Sequence, residues 1–222
     1  MKYKYIFLDI DDTLYEYRPC HEAGFRALCS FVSETFSVSM ERAEQYYQES
    51  RKEVGTRLHG QGASHSRLLY SQGICERLNV SPAEFALQIE RKYLDKFLVT
   101  IQLRPFVNEF LDTAIRKGCS LGVITDLTAG IQFEKIKRFG IQNKIHTIVT
   151  SEEAGAEKPD FRIYQLALEK LKAEKSLSIM IGDSMEKDVL GARRFGISAC
   201  LLGRQEGENE QTESFQDLLK YL

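Results

Sequence analysis

Short, mainly apolar runs alternate along the chain with segments whose apolar positions recur at helical spacing. The runs are Tyr3–Leu8, Ser120–Thr125, Thr147–Thr150, Ser178–Ile181 and Ser198–Leu202. Most are aromatic or β-branched and they stop abruptly, the first two directly in acid. Strands buried on both faces of a sheet read this way. The helical patterns between them are punctuated. Pro105 opens Phe106–Lys117 and Gly118 closes it. Gly140 closes Ala129–Phe139, and Asp160 caps Phe161–Leu171. Asp183 or Ser184 caps Met185–Phe195, which Gly196 closes. Strands alternating with helices predict βαβ units, hence an α/β fold with a Rossmann-like parallel sheet covered on both faces.

One interval departs from the alternation. From Tyr15 to Thr100 no strand pattern is visible, and helical patterns occupy Glu22–Thr35, Ser39–Lys52, Ser64–Leu78 and Pro82–Phe97. Ser81-Pro82-x-Glu84 sets a cap residue, an N1 proline and an N3 acid in a row, and predicts the strongest helix start in the chain. The block is too long for an ordinary crossover. It reads as an all-helical subdomain over 15–100, inserted into an α/β core made of 1–14 and 101–222. Its segment Gly55–His65 reads as a loop, and Gln205–Thr212, rich in acid and glycine, as a solvated loop.

Composition narrows the function classes. The 222 residues are 43% apolar and 28% charged, enough for a full core. Thirty basic residues against 32 acidic ones give a net charge of −2, which argues against binding nucleic acid by broad phosphate neutralisation. No apolar run approaches the ~20 residues of a membrane span, and the N-terminus lacks a secretory pattern. The five cysteines are scattered with no C-x-x-C, so a cytoplasmic, reducing environment is expected.

In an open parallel sheet the ligand sits outside the carboxyl ends of the strands. Those ends carry Asp9-Ile10-Asp11-Asp12-Thr13, Thr125-Asp126, Glu157-Lys158-Pro159 and Gly182-Asp183-Ser184, with Asp188 one turn further on. Asp9 and Asp11 start on the same side of an extended backbone. With Asp183 beside them, three carboxylates crowd one rim. Unit charges ~4 Å apart repel by ~4 kcal/mol at an effective dielectric of 20. Such a cluster calls for a cation, and oxygen-only ligands favour Mg²⁺. A carboxylate beside a metal, a lysine and a hydroxyl suits phosphoryl transfer through an aspartyl phosphate on Asp9. Asp11, flanked by like charges, is expected to have a raised pKa and to act as acid and base.

These motifs resemble those of the haloacid-dehalogenase-like hydrolase superfamily. Asp9-x-Asp11-x-Thr13-Leu14 is similar to its first motif, Thr125 to the second, Lys158-Pro159 to the third, and Gly182-Asp183-Ser184 with Asp188 to the fourth. The resemblance implies Asp9 as nucleophile and Asp11 as acid/base. It implies Mg²⁺ on the Asp9 carboxylate, the Asp11 carbonyl and Asp183, with Thr13 and Asp188 supporting the site. It implies that Thr125 and Lys158 bind the phosphoryl group, with Asp126 contributing its backbone N–H. The second motif often continues with Asn, where this chain has Asp126. The inserted block resembles the family's helical cap. Arg57, His59 and Arg67 are its candidate substrate contacts, with Arg18 and Ser64 as further candidates.

Each motif alone has a plainer reading: an acidic turn, a strand end, a solvated lysine, a helix cap. Their joint occurrence at successive strand ends carries the functional reading. The expectation is a Mg²⁺-dependent phosphatase, of nucleotidase or sugar-phosphatase type, acting on a small phosphorylated metabolite. A phosphomutase on the same core is the alternative within the fold, and a phospho-aspartate signalling module the alternative outside it.

Overall fold

The computed structural model describes residues 2–219 and 222. It divides into two compact units, Met1–Glu16 with Gln102–Leu222, and Tyr17–Ile101.

The first unit is built on β1 (Tyr5–Leu8). The second is helical: α1 (Tyr17–Phe36), α2 (Met40–Arg57), a 3₁₀ turn at Gly62–His65, α3 (Arg67–Leu78) and α4 (Pro82–Thr100). The chain then returns to the first unit through α5 (Val107–Arg116), β2 (Ser120–Thr125), α6 (Ala129–Phe139) and β3 (Thr147–Thr150). There follow the single turn α7 (Ser151–Ala154), α8 (Phe161–Leu171) and β4 (Ser178–Gly182). A wide π-type turn over Met185–Leu190 leads into α9 (Gly191–Phe195), and β5 (Ser198–Leu202), β6 (Gln211–Thr212) and α10 (Phe215–Leu218) end the fold.

All strand pairs are parallel, in the order β3-β2-β1-β4-β5-β6. β1 is therefore central, with Leu8 in register with Val123 on one side and Ile181 on the other. Its residues Ile6, Phe7 and Leu8 are sealed from solvent because helices cover both faces. Phe7 packs among Ile124, Val149, Met180 and Ile163. Burying each such side chain contributes roughly 1.5–3 kcal/mol. Gly122 faces the Phe7 ring so closely that a Cβ would lie 2.7 Å from it.

Local chemistry sets the helix ends. Ser39 and Ser66 cap α2 and α3 by accepting from the amides of Arg42 and Leu69, and Asp160 caps α8 by accepting from Arg162. Gly140 ends α6 at φ 71°, a left-handed conformation that glycine adopts without a Cβ clash. Three local expectations need correction. Ser81 makes no side-chain cap bond, although Pro82 does open α4. Helix continues through Gly55 to Arg57. Gln205–Thr212 is not wholly loop: Gln211–Thr212 adds a sixth strand beside β5.

Candidate active site

β1 ends at the middle of the sheet's carboxyl edge, and Asp9 is the first residue beyond it. Its amide donates to Ile181 O at 3.0 Å, which extends the ladder one residue past the strand. The Asp9 carboxylate is almost closed off from solvent. Lys158, itself buried, donates to Asp9 Oδ1 at 2.6 Å, to Asp188 Oδ1 at 2.7 Å and to the Ile124 carbonyl at 3.1 Å. One ammonium thus bridges two carboxylates beneath the rim. The opposing charges outweigh burial and keep Lys158 protonated well above its ordinary range. Burial lifts Asp9 well above the usual carboxylate range, with Lys158 opposing and Asp188 and Asp11 reinforcing.

Asp188 reaches Asp9 because Gly182 lets it. A Cβ at residue 182 would fall 2.3 Å from the Asp188 carboxylate. The other Asp188 oxygen accepts from the Ser184 amide at 3.0 Å. Thr13, fully buried, ties the first and fourth motifs together. Its hydroxyl lies 3.4 Å from Asp9 Oδ2 and 3.2 Å from Asp183 Oδ1, and it accepts from the Asp183 amide at 3.1 Å. Desolvation and the neighbouring Asp188 push the Asp183 carboxyl up to about 6. Asp9, Asp183 and Asp188 each offer an oxygen within 4.8 Å of the others. Three carboxylates with no His or Cys donor fit a hard divalent cation.

The profile of the haloacid dehalogenase-like hydrolases matches residues 5–202. The chain belongs to this family. Among its relatives is the ribulose-1,5-bisphosphate 5-phosphatase of Halopiger xanaduensis, 34% identical over 211 residues, covering 94% of this chain and 88% of that one. Another is the glyceraldehyde 3-phosphate phosphatase of Methanothermobacter thermautotrophicus, 32% identical over 216 residues, covering 94% and 89%. The 2-haloacid dehalogenase of Pseudomonas syringae pv. Tomato DC3000 shares the fold at a TM-score of 0.79 with 23% identity, covering 98% and 97%.

In this hydrolase the second-motif threonine, Thr125, is buried at the end of β2, and its hydroxyl accepts from Gln132 Nε2 at 2.8 Å. Asp126 is committed elsewhere. Its Oδ1 accepts the Lys158 amide at 2.9 Å and its Oδ2 pairs with Lys187 at 2.8 Å. The acid that replaces the frequent asparagine is thereby neutralised, and it anchors the loop that delivers Lys158.

The expectation of a raised Asp11 pKa is overturned. Lys135, also buried, donates to both Asp11 oxygens at 2.6 and 2.9 Å. Gln132 donates at 3.1 Å, and the Tyr15 hydroxyl donates as well. Burial pushes the Asp11 carboxyl up, but Lys135 and these donors outweigh it and hold it below the ordinary range. The acids that flank Asp11 along the chain do not decide its state. The deciding charge arrives from α6, well over a hundred residues on.

The inserted unit does not gather its three candidate contacts. Arg57 and His59 are exposed and line different surface hollows. Arg67 is part-buried among tyrosines. Arg18 is exposed and paired with Glu22, and Ser64 is buried. Sequence reasoning missed Tyr15, Gln132, Lys135 and Lys187. A signal existed for two of them: Gln132 and Lys135 stand one turn apart on the helix that follows Thr125.

Proposed function

We propose that this hydrolase is a Mg²⁺-dependent phosphomonoesterase that acts on a small phosphorylated metabolite through an aspartyl phosphate on Asp9. The carrying observation is the Lys158 ammonium set between Asp9 and Asp188 at the carboxyl edge of the sheet, with Thr125 at the adjacent strand end. A buried cation beside a nucleophilic carboxylate and a hydroxyl suits a phosphoryl group, whose negative oxygens need partners that are already in place.

Asp9 attacks phosphorus as the bond to the leaving oxygen breaks, and the phosphoryl group passes to an Asp9 oxygen. Lys158 orients the attacking carboxylate through Oδ1, while Thr125 and Lys158 bind phosphoryl oxygens. Asp9 and Asp183, with Asp188 beside them, would hold Mg²⁺, which when bound offsets the charge of the carboxylates and the phosphoryl oxygens. Asp11, once protonated, gives its proton to the leaving oxygen. Ionised again beside Lys135, it takes a proton from the water that attacks phosphorus and frees Asp9. The names of two relatives, a ribulose bisphosphate phosphatase and a glyceraldehyde phosphate phosphatase, favour sugar phosphates over nucleoside monophosphates.

The test is release of free phosphate from a panel of sugar phosphates and nucleoside monophosphates, with and without Mg²⁺. Multiple turnover on a sugar phosphate that stops in EDTA and in Asp9→Asn supports the reading. Turnover that survives either change overturns it. An isomerised product without free phosphate would identify a phosphomutase, and phosphorylation without turnover a signalling module.

A further inference from the structure

Gln132 stands on the first turn of α6 and is closed to solvent. Its amide nitrogen meets three oxygens: the Asp126 carbonyl at 2.7 Å, the Thr125 hydroxyl at 2.8 Å and Asp11 Oδ2 at 3.1 Å. Its amide oxygen is buried too and meets no donor among the described residues. The nitrogen has more acceptors than hydrogens, while the oxygen, which could accept twice, stands empty. An empty buried acceptor is unfavourable, so the amide is held this way round by what its nitrogen reaches.

Two of the three oxygens fix that orientation. The Asp126 carbonyl can only accept. Asp11 is bound through both oxygens to Lys135, at 2.6 and 2.9 Å, and is kept as an ionised acceptor. Turning the Gln132 amide over would set its oxygen against both. The nitrogen therefore faces this corner, and the third oxygen, that of Thr125, receives an N–H. Thr125 is an acceptor on its protein side, and its own proton is left over. Among the described residues the one acceptor for that proton is the Asp126 carbonyl at 3.3 Å, which already takes the shorter bond from Gln132.

The backbone holds this arrangement in place. Leu127 adopts φ 81°, a left-handed conformation that residues with a Cβ avoid, and it turns the chain from β2 into α6 within three residues. Glu152 accepts the Ala129 amide at 2.8 Å, and Ser151 donates to the Leu127 carbonyl at 3.3 Å. The start of α6 is thereby pinned, with Gln132 set back against the strand end that the chain has just left.

We propose that Gln132 is a positioning residue for the phosphoryl site: by donating to the Thr125 oxygen it leaves the Thr125 proton to be given to a phosphoryl oxygen. This rests on the phosphatase reading and deepens it, since it assigns what aims the second-motif hydroxyl. A free hydroxyl rotates between donating and accepting, whereas one whose oxygen is already occupied needs no reorientation when the anion arrives.

The experiment measures the dissociation constant of inorganic phosphate in saturating Mg²⁺ by calorimetry, which needs no turnover. Gln132→Met fills the place of glutamine but donates nothing. It is made in the wild type, in Thr125→Ser and in Thr125→Val. In the first two backgrounds a hydroxyl remains to be aimed, and Gln132→Met should weaken phosphate binding about tenfold. With Thr125→Val no hydroxyl remains, and the same substitution should weaken it less than about twofold. A brace for α6 would lose the same factor in all three backgrounds. Equal factors, or a Gln132→Met that binds phosphate like wild type, overturn the proposal. So does a Thr125→Val that binds phosphate like wild type. Should Gln132→Met fail to fold, Gln132→Asn, which withdraws the amide by one methylene, goes through the same cycle. A wild type that releases no phosphate from p-nitrophenyl phosphate or from any sugar phosphate refutes the phosphatase reading and this proposal together, whereas an active wild type with equal factors refutes the proposal alone.

Discussion

Replacing Lys158 by methionine removes one charge and leaves two buried carboxylates facing each other. The oxygens of Asp9 and Asp188 lie within 4.8 Å. At that separation two unit charges repel by about 3.5 kcal/mol at an effective dielectric of 20. Breaking a buried ion pair by deleting one partner typically costs about 3–5 kcal/mol, in line with this figure. The loss must depend on pH, and its sign follows from the carboxylates. In the variant the Asp9 carboxyl, already raised by burial and now without Lys158, stands still higher above its unfolded value, so the native state holds a proton that the unfolded state has released. Stability then falls as pH rises through the carboxylate range. The assay is urea denaturation of wild type and Lys158→Met in EDTA at pH 5 and pH 8. We expect a deficit of about 3–5 kcal/mol at pH 8 that shrinks toward pH 5, where one carboxyl can protonate. Divalent cation should restore part of it at pH 8. A deficit below about 1 kcal/mol, or one equal at both pH values, would show that Lys158 does not hold the two acids together.

Other perturbations probe separate parts of the account. Gly182→Ala places a Cβ 2.3 Å from the Asp188 carboxylate. It should reduce turnover at least about tenfold, and more at low than at saturating Mg²⁺, whereas a mild uniform effect would contradict the close approach. Lys135→Met frees Asp11 from its ion pair. Without that charge the Asp11 carboxyl rises, so the acidic limb of the pH profile, where Asp11 must ionise to act as base, should move to higher pH on an alkyl phosphate and on p-nitrophenyl phosphate alike, and Lys135→Arg should move it back. An unmoved limb would confine Lys135 to a structural role. His21 is depressed to about 4 in the folded protein against 6.5 unfolded. Its contribution to stability is present above pH 6.5 and is lost as pH falls toward 4, by about 1–2 kcal/mol after allowing for solvent screening. Chemical denaturation across that window should show the slope, and His21→Gln should flatten it.

The strand ends were legible because they are the least ambiguous part of the chain. An apolar strand that stops in Asp9, Thr125 or Asp183 places its last polar residue at the sheet edge whatever the details of packing. The order of strands was not legible, and it decides what meets. Asp9 and Asp188 come together because β1 and β4 are neighbours and because Gly182 leaves room. Lys135 and Phe133 show the limit of periodicity. Phe133 is exposed and Lys135 is buried, the reverse of what polarity suggests, because a carboxylate at the rim outbids apolar contact for that face of α6. Lys187 gave no pattern, since its pairing with Asp126 is made by tertiary structure. The candidate contacts in the helical unit were chosen by residue type alone. The structure separates them: Arg57 and His59 are exposed, while Arg67 lies among tyrosines.

The central claim is that Asp9 is the nucleophile that receives the phosphoryl group. Trapping the covalent intermediate tests it most directly. Enzyme mixed with a sugar phosphate and Mg²⁺ is quenched in acid within a turnover and reduced with borohydride, which converts an acyl phosphate to the alcohol. Peptide mass spectrometry then locates the product. The account predicts homoserine at position 9, dependent on substrate and on Mg²⁺ and absent when Asp9 is asparagine. Reduction at another carboxylate, or active enzyme with no reduced residue at any quench time, would contradict it.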